Sequence, residues 1–243
     1  MTNALVAFAL KQEFAPWRRR NRFRPISGLP HHVSVTSFGA IQVYVALAGT
    51  GAAAADHMLG LVRQFAPSLG IVTGVAAGLK PEWRPGDVLV ARSVSGPEGK
   101  GGIPCAPNLV DLAVQCGAKA APVLITLPRI ARTMAEKERL ATLGDAADME
   151  SLPLMKQWSA RGIPSLAVRV ILDPVEVPMT CDFESAMDAD GQVQIAKVLA
   201  QLTRHPQLLP DFLRLAMQSR RTLEILARFL DRFFERLDHQ NFA

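Results

Sequence analysis

Cysteines and aromatic residues are scarce in this chain of 243 residues. The three cysteines, Cys105, Cys116 and Cys181, are an odd number, and none belongs to a Cys-x-x-Cys pair. This argues against a disulfide framework and against a zinc site, so we expect a reducing, cytoplasmic environment. Aromatic residues make up 6% of the chain and include one tyrosine, which argues against the base-stacking surfaces of nucleic-acid-binding proteins.

Long apolar runs are also missing. No run reaches the roughly 18 residues that a membrane-spanning helix needs. Residues 4–10 are apolar, but no basic region precedes them and no small-residue cleavage site follows, so they are not predicted to be a signal peptide. Hydrophobic residues make up 49% and charged residues 20%, as in a globular protein with a large core. We therefore expect a chain that is soluble or bound only to a membrane surface.

Positive charge is concentrated in two places. The net charge is +5, with five arginines in residues 17–25 and six in residues 212–237. Such clusters can bind phosphate groups, anionic lipid or nucleic acid, or have no partner at all. Charge alone leaves these alternatives open.

Short apolar runs alternate with helical patterns along the chain. The predicted strands lie at residues 4–10, 42–48, 69–73, 87–91, 122–126 and 165–171. The predicted helices lie at residues 52–65, 108–116, 150–161 and 193–203. This alternation predicts a single α/β domain with a mixed, mostly parallel central sheet flanked by helices. We assign residues 1–187 to that domain and residues 188–243 to a C-terminal helical extension of it.

Residues that can carry chemistry follow several of the predicted strands. Glu13 follows the first strand, a glycine turn with Gly49 and Gly51 follows the second, and residues 74–79 are predicted as another small-residue turn. Ligands of open α/β sheets bind beyond the carboxyl ends of the strands, so this edge is the predicted site.

Two further carboxylates are predicted at the same edge. Glu150 begins a predicted helix and Asp173 follows the last predicted strand. Singly, a glutamate at a helix start is more typical of a cap and an aspartate before proline is more typical of a turn. Together with Glu13 they suit cleavage of a glycosidic bond, in which one carboxylate activates water and another protonates the leaving group.

Two longer segments resemble a known family. Residues 73–91, TGVAAGLKPEWRPGDVLVA, resemble the glycine-rich segment of nucleoside phosphorylases and of methylthioadenosine/S-adenosylhomocysteine nucleosidases. Residues 147–173, ADMESLPLMKQWSARGIPSLAVRVILD, are similar to the DMES segment of those enzymes. Shorter matches, ALKQE at residues 9–13 and EKERL at residues 136–140, occur in the same order. The resemblance implies a nucleoside phosphorylase-like fold.

The resemblance also implies roles for the matched residues. Glu13 would position or activate the attacking water, and Glu150 would bind the ribose hydroxyls while Met149 packs against the ribose. Asp173 would protonate N7 of a purine, and Arg169 would order the carboxylate cluster. The other substrate-binding positions expected from the strand ends and the matched segments are Gly49, Gly51, Val75, Ala76 and Leu172. No metal or organic cofactor is expected, because water, or phosphate in a phosphorylase, is the second reactant.

Departures from the family pattern bear on the substrate and on the second reactant. ALKQE stands where the phosphorylases carry a phosphate-binding loop, which favours water, although the arginines at positions 18–20 could still reach an anion. Val75, Ala77 and Leu172 differ from the usual pattern and point away from methylthioadenosine as substrate. They also leave an inactive nucleoside- or lipid-binding protein as an alternative.

The C-terminal third narrows the resemblance. Residues 173–230 look like the tail of the hopanoid-associated nucleosidases, which remove adenine from adenosylhopane. This implies a homo-oligomeric purine nucleosidase of hopanoid lipid synthesis, located in the cytoplasm at the inner face of the membrane. A methylthioadenosine/S-adenosylhomocysteine-type nucleosidase and a purine nucleoside phosphorylase remain alternatives.

The last predicted helix carries an apolar stripe with arginines beside it. The stripe consists of Phe212, Leu215, Leu223, Ile225, Leu226, Phe229, Leu230, Phe233, Phe234 and Leu237. The pattern is typical of a helix at a membrane surface, and equally of a helix that packs in a core or between subunits. Trp17 with its neighbouring arginines is interpreted as a second membrane contact or as a solvated loop.

Overall fold

The fold is taken from a computed structural model that describes residues 2–29, 33–49, 53–99, 101–129, 131, 133–173 and 209–241. The strands found there are β1 (Thr2–Phe8), β2 (Arg24–Pro25), β3 (Ser34–Phe38), β4 (Ile41–Leu47), β5 (Leu69–Gly78), β6 (Val88–Ser95), β7 (Ile103–Pro104), β8 (Lys119–Thr126), β9 (Ala146–Asp148) and β10 (Ser165–Asp173). The helices are α1 (Lys11–Arg20), α2 (Ala53–Phe65), α3 (Pro107–Gln115), α4 (Met134–Ala141), α5 (Ser151–Ser159) and α6 (Leu209–Asn241).

Strand β5 is the centre of the sheet. Its first half lies between β1 and β10, both parallel to it, and its last residues pair antiparallel with β9. On one side β1 continues the sheet to β4, β3 and β2, while on the other β10, β6, β8 and β9 pair in turn and return to β5. The sheet is therefore partly closed into a ring, and the predicted α/β fold with a mixed sheet is confirmed.

Strand β1 shows why the central strands read as continuous apolar runs. Its residues from Ala4 to Phe8 are all fully buried, because helices cover both faces of the sheet. Near the edge, β4 instead alternates between buried and half-buried side chains. The central strands thus form the core, and their carboxyl ends lie at one edge.

Two predicted local structures differ from the observed ones. The predicted turn at residues 74–79 is wrong, because β5 continues through Gly78 as a mostly buried strand. Residues 11–20 form helix α1, which the strand-and-loop interpretation missed and which tolerates Pro16 within it. The helix predicted at residues 193–203 lies outside the described residues.

Helix α6 buries its apolar stripe in the main core. Leu223, Leu226, Leu230, Phe233 and Leu237 are buried there, together with Phe229 and Phe234. For these residues the structure supports the core-packing interpretation of the stripe over the membrane interpretation. Among the described helices, none is both long enough and apolar enough to cross a membrane.

Trp17 connects helix α1 to helix α6. Its ring is fully buried and stacks on Phe234 with centroids 5.7 Å apart, and its Nε1 donates a 2.8 Å hydrogen bond to Asp231 Oδ1. The prediction of Trp17 as a membrane contact or part of a solvated loop is therefore wrong. The aromatic packing and the hydrogen bond hold α1 against α6.

Candidate active site

Glu13 is fixed by two backbone groups. It lies in the first turn of α1, where its Oε2 accepts a 3.0 Å hydrogen bond from Leu10 N and so closes the start of the helix. Its Oε1 accepts a 2.9 Å hydrogen bond from Val75 N on β5. The carboxylate is buried and therefore has one defined orientation, directed at the central strand.

Gly74 provides the space in which Glu13 and Arg169 approach each other. Its φ is +144°, a value that residues with side chains rarely adopt. A Cβ atom on Gly74 would lie 2.6 Å from Glu13 Oε1 and 2.7 Å from Arg169 Nη1. A side chain at this position is therefore incompatible with both the backbone and the two charged groups.

The Gly74→Ala variant is expected to lose about ten- to a hundredfold in kcat, because the added methyl group must displace Glu13 or Arg169 and small misplacements are costly in catalysis. The measurement is steady-state turnover beside thermal unfolding. Gly60→Ala on α2 is the matched control, since its added Cβ meets no atom within 4 Å. If Gly74→Ala turns over as fast as Gly60→Ala, the added methyl group does not displace Glu13 or Arg169, and the prediction is contradicted.

Arg169 is the central charge of the site. Its side chain is buried on β10, and Nη2 lies 2.5 Å from Asp148 Oδ2 and 3.6 Å from Glu150 Oε2. The same nitrogen donates a 3.0 Å hydrogen bond to Ser151 Oγ. A buried guanidinium needs such compensation, because removing its charge from water is costly. The contacts join β9, β10 and the start of α5.

Asp148 is held by hydroxyl groups as well as by Arg169. Thr126 Oγ1, at the end of β8, donates a 2.7 Å hydrogen bond to Asp148 Oδ1 and accepts one from Leu152 N. The Ser151 hydroxyl donates to Asp148 Oδ2. Sequence reasoning missed these three side chains as site residues. Asp148 and Ser151 lie within the DMES segment, and their polar side chains beside Glu150 were the signal available.

Burial raises the pKa of both candidate carboxyl groups. For Glu13, burial outweighs the lowering effects of Arg169 and of backbone hydrogen bonds, so the pKa is raised. For Glu150, burial is the largest cause, Arg169 opposes it, and the nearby Asp148 and Glu13 add to it, which raises the pKa to about 8. Burial lowers the pKa of Arg169, but the surrounding carboxylates outweigh it and raise that pKa.

The raised pKa of Glu150 predicts how stability depends on pH. Its pKa rises from 4.5 to about 8 on folding, so the folded state holds a proton that the unfolded state releases. Between these values the free energy of unfolding should fall as pH rises. We expect Glu150→Gln to flatten that fall, measured by denaturant unfolding at several pH values. Glu138→Gln, at an exposed position, is the control and should keep the wild-type slope; an unchanged slope in Glu150→Gln would contradict the assignment.

Asp173 is the last residue of β10, four residues beyond Arg169. Its backbone pairs with Ala77 after a register shift that follows Ile171. Asp173 therefore lies towards the same edge of the sheet as Gly74. The structure describes its backbone but not its side chain. The assignment of Asp173 as a catalytic acid thus stays a prediction.

Most of the remaining predicted positions lie on the strands and turns near this edge. Met149 directly precedes Glu150 and is half-buried, Val75 is half-buried, and Ala76 is buried on β5. The carbonyl of Leu172 accepts a hydrogen bond from Gln218 of α6. Gly49 follows β4 with a φ of +77°, and Gly51 lies outside the described residues.

No metal site accompanies these groups in the described part of the chain. There, no cluster of three or more histidine, cysteine, aspartate or glutamate side chains is arranged to hold a metal ion. The arrangement that can act chemically is the set of two buried carboxyl groups, Glu13 and Glu150, on either side of Arg169.

Comparisons with known proteins relate this chain to a family. Residues 5–204 match the phosphorylase superfamily, whereas no curated protein matches the sequence. Among solved structures, the 5'-methylthioadenosine/S-adenosyl homocysteine nucleosidase of Campylobacter jejuni has 15% sequence identity and a TM-score of 0.74, with 97% of this chain and 99% of that chain covered. Futalosine hydrolase of Helicobacter pylori has 16% identity and a TM-score of 0.70, with 96% and 97% covered.

A third similar structure holds a ligand. The S-adenosylhomocysteine nucleosidase of Streptococcus pyogenes, in complex with 5-methylthiotubericidin, has 16% identity and a TM-score of 0.67, with 95% of this chain and 96% of that chain covered. At these identities the similarities establish a common fold over nearly the whole chain.

Proposed function

This chain belongs to the phosphorylase superfamily, and on that premise we propose that it is a nucleosidase that hydrolyses the N-glycosidic bond of an adenosyl compound and releases adenine. The observation that carries the proposal is the pair of buried carboxyl groups, Glu13 and Glu150, on either side of Arg169. One carboxylate that activates water and another that stabilises a cationic sugar are what this reaction needs.

Glu13 is the proposed base. Its raised pKa makes the carboxylate a stronger base than an exposed glutamate, and its two backbone hydrogen bonds fix its direction. Arg169 Nη1 approaches the same point above Gly74 and has no hydrogen-bond partner among the residues that the structure describes. A water molecule bound there would accept from the guanidinium and donate to Glu13, which would then take its proton as the oxygen attacks C1'.

Glu150 is the proposed sugar-binding carboxyl group. It would bond to the ribose hydroxyls. The positive charge that develops on the sugar would favour the ionised form of Glu150, which in turn would stabilise the oxocarbenium-like transition state. Asp173, at the end of β10, would donate a proton to N7 of the purine so that adenine leaves as a neutral base. Met149, beside Glu150, would pack against the ribose.

Water as the second reactant is favoured by the partners of two of the three arginines at the end of α1. Arg19 forms an ion pair with Glu224 and Arg20 forms one with Asp231, both on α6. These two guanidinium groups are therefore committed to the contact between helices, not to a phosphate-binding loop. This observation favours hydrolysis over the alternative of phosphorolysis.

The finer proposal is that the adenosyl compound is linked to a lipid of the adenosylhopane type. The resemblance of residues 173–230 to the hopanoid-associated nucleosidases supports it, as do the departures at Val75, Ala77 and Leu172. The buried stripe of α6 does not contribute, because that face is occupied by the core.

The proposal is tested by incubating the protein with adenosine, methylthioadenosine and adenosylhopane, with and without phosphate, in water enriched in ¹⁸O. We expect adenine release without phosphate, ¹⁸O at the sugar C1' hydroxyl, and the highest kcat/KM for the adenosyl lipid. Release that requires phosphate would assign a phosphorylase. If the protein binds one of these three compounds tightly but releases adenine from none of them, it is a binding protein and not an enzyme.

A further inference from the structure

The carboxyl groups of Asp148, Glu150 and Glu13 lie near Arg169. Of these, Asp148 makes the shortest contact with the guanidinium nitrogen Nη2. That nitrogen is 2.5 Å from Asp148 Oδ2 and 3.0 Å from Ser151 Oγ, whereas Glu150 Oε2 is 3.6 Å away. At 3.6 Å the contact with Glu150 is electrostatic and not a hydrogen bond. The guanidinium is thus shared unequally between two neighbouring carboxyl groups.

Asp148 is built to keep this position. Its side chain is fully buried, both oxygens accept from hydroxyl groups, and the backbone N–H of Ser151 also points to Oδ1 at 3.4 Å. Thr126, which donates one of these bonds, is itself fixed by Leu152 N. Asp148 is therefore committed to the protein and has no accessible oxygen with which to bind a ligand.

Glu150 has the opposite character. It is the residue that caps the start of α5, yet its side chain makes no capping hydrogen bond. Carboxylates at this position commonly accept from the first turn of the helix. Here the Ser151 N–H at that turn is directed at Asp148 instead. The Glu150 carboxyl group accepts a backbone hydrogen bond from Met149 but none from a hydroxyl group in the described part of the chain, so it keeps acceptor capacity that Asp148 lacks.

We propose that Asp148 is a positioning residue that holds Arg169 away from Glu150 and so keeps the Glu150 carboxyl group available for the sugar of the substrate. That the ligand is a sugar rests on the proposed function. The competition of Asp148 and Glu150 for the Arg169 guanidinium does not. Without Asp148, the guanidinium would pair with Glu150 and occupy the carboxyl oxygens that the ribose hydroxyls need.

The charges around Glu150 support this assignment. The charged groups that act on it are Arg169 on β10, Asp148 on β9 and Glu13 on α1. Arg169 lowers the pKa of Glu150, while Asp148 and Glu13 raise it. Replacing Asp148 by a neutral residue removes one raising charge and lets Arg169 move closer, so both consequences lower the pKa of Glu150.

The test is a titration that needs no turnover. In protein labelled with ¹³C at glutamate carboxyl groups, the Glu150 signal is assigned by its loss in Glu150→Gln and followed with pH in wild type and variants. We expect Asp148→Asn to lower the Glu150 midpoint by about one pH unit or more. Asp148→Glu, which restores the charge, should bring the midpoint back towards wild type. Ser151→Ala, which removes a neutral hydroxyl from the same cluster, should move it by less than half as much as Asp148→Asn.

Turnover supplies an independent readout. Asp148→Asn should lower kcat for adenine release about tenfold or more with a smaller change in KM, and should move the acidic limb of the kcat/KM profile to lower pH. If Asp148→Asn does not fold, Asp148→Ser carries the same test with a smaller neutral side chain.

Two results would overturn the assignment. One is a folded Asp148→Asn protein in which the Glu150 midpoint is unchanged or higher. The other is an equal shift in Ser151→Ala, because that would show a general loosening of the cluster instead of an effect of the Asp148 charge. A wild-type protein that releases no adenine would refute the proposed function and would leave the titration result to decide the role of Asp148 by itself.

Discussion

Replacing Glu13 by glutamine is expected to lower kcat for adenine release by about a hundred- to ten-thousandfold, the range over which a general base contributes. The amide cannot accept a proton from the attacking water. It also offers one acceptor oxygen where Glu13 uses two, towards Leu10 N and Val75 N. The effect should therefore appear in kcat, together with a modest loss of stability at the start of α1.

The Asp145→Asn variant is the control that separates an effect on stability from an effect on kcat. Asp145 is also a buried carboxylate that accepts from a backbone N–H, that of Val123, and it forms an ion pair with Lys80 at the opposite end of β9 from Asp148. That variant should unfold at a lower temperature yet keep near-normal kcat. If Glu13→Gln loses no more activity than Asp145→Asn, Glu13 is a structural cap and not a base.

Asp173→Asn is expected to lower kcat by a similar factor, about a hundred- to ten-thousandfold, while the protein stays folded. An asparagine has no proton to give to N7, so adenine would have to leave as an anion. A substrate with a good leaving group that needs no protonation, such as a 4-nitrophenyl riboside, should lose much less. This dependence on the leaving group is the specific sign of a general acid.

The matched control for Asp173→Asn is Asp87→Asn. Asp87 also lies beside a strand of the ring, directly before β6, where it caps Arg84 N and pairs with Lys119. Its replacement should leave turnover unchanged. Near-normal adenine release in Asp173→Asn would remove the proposed acid, and an equal loss with both leaving groups would assign Asp173 to substrate binding.

The sequence predicted the strands that are buried on both faces. Strands β1 and β10 were predicted within a few residues of their bounds, because continuous apolar runs mark such strands. Glu13 was expected just after β1 and lies in the first turn of α1, and Glu150 was expected at a helix start and caps α5. The family resemblance predicted that Arg169 orders the carboxyl groups, and the structure places its guanidinium beside Asp148 and Glu150. Its role stays a prediction.

What could not be predicted depends on contacts between distant residues. Glycine and alanine at positions 74–78 resemble a turn locally, yet pairing with β10 and β9 keeps them in strand β5. The positive φ of Gly74 and the approach of Glu13 and Arg169 to it depend on α1 and β10, which are distant from Gly74 in the sequence. Thr126 is an ordinary strand residue by sequence, and only the parallel pairing of β8 with β9 brings it to Asp148.

The contact between Trp17 and Asp231 has a consequence for the order in which the protein is made. A ribosome produces α1, with Glu13 in it, long before it produces α6, which is 214 positions away at this hydrogen bond. Until α6 emerges, the indole of Trp17 lacks the ring of Phe234 on which it stacks in the folded protein. A nascent chain would therefore carry its candidate base on a helix that still lacks the partner against which it packs. Activity should arise only late in synthesis, and an interrupted chain should be both inactive and exposed to proteases.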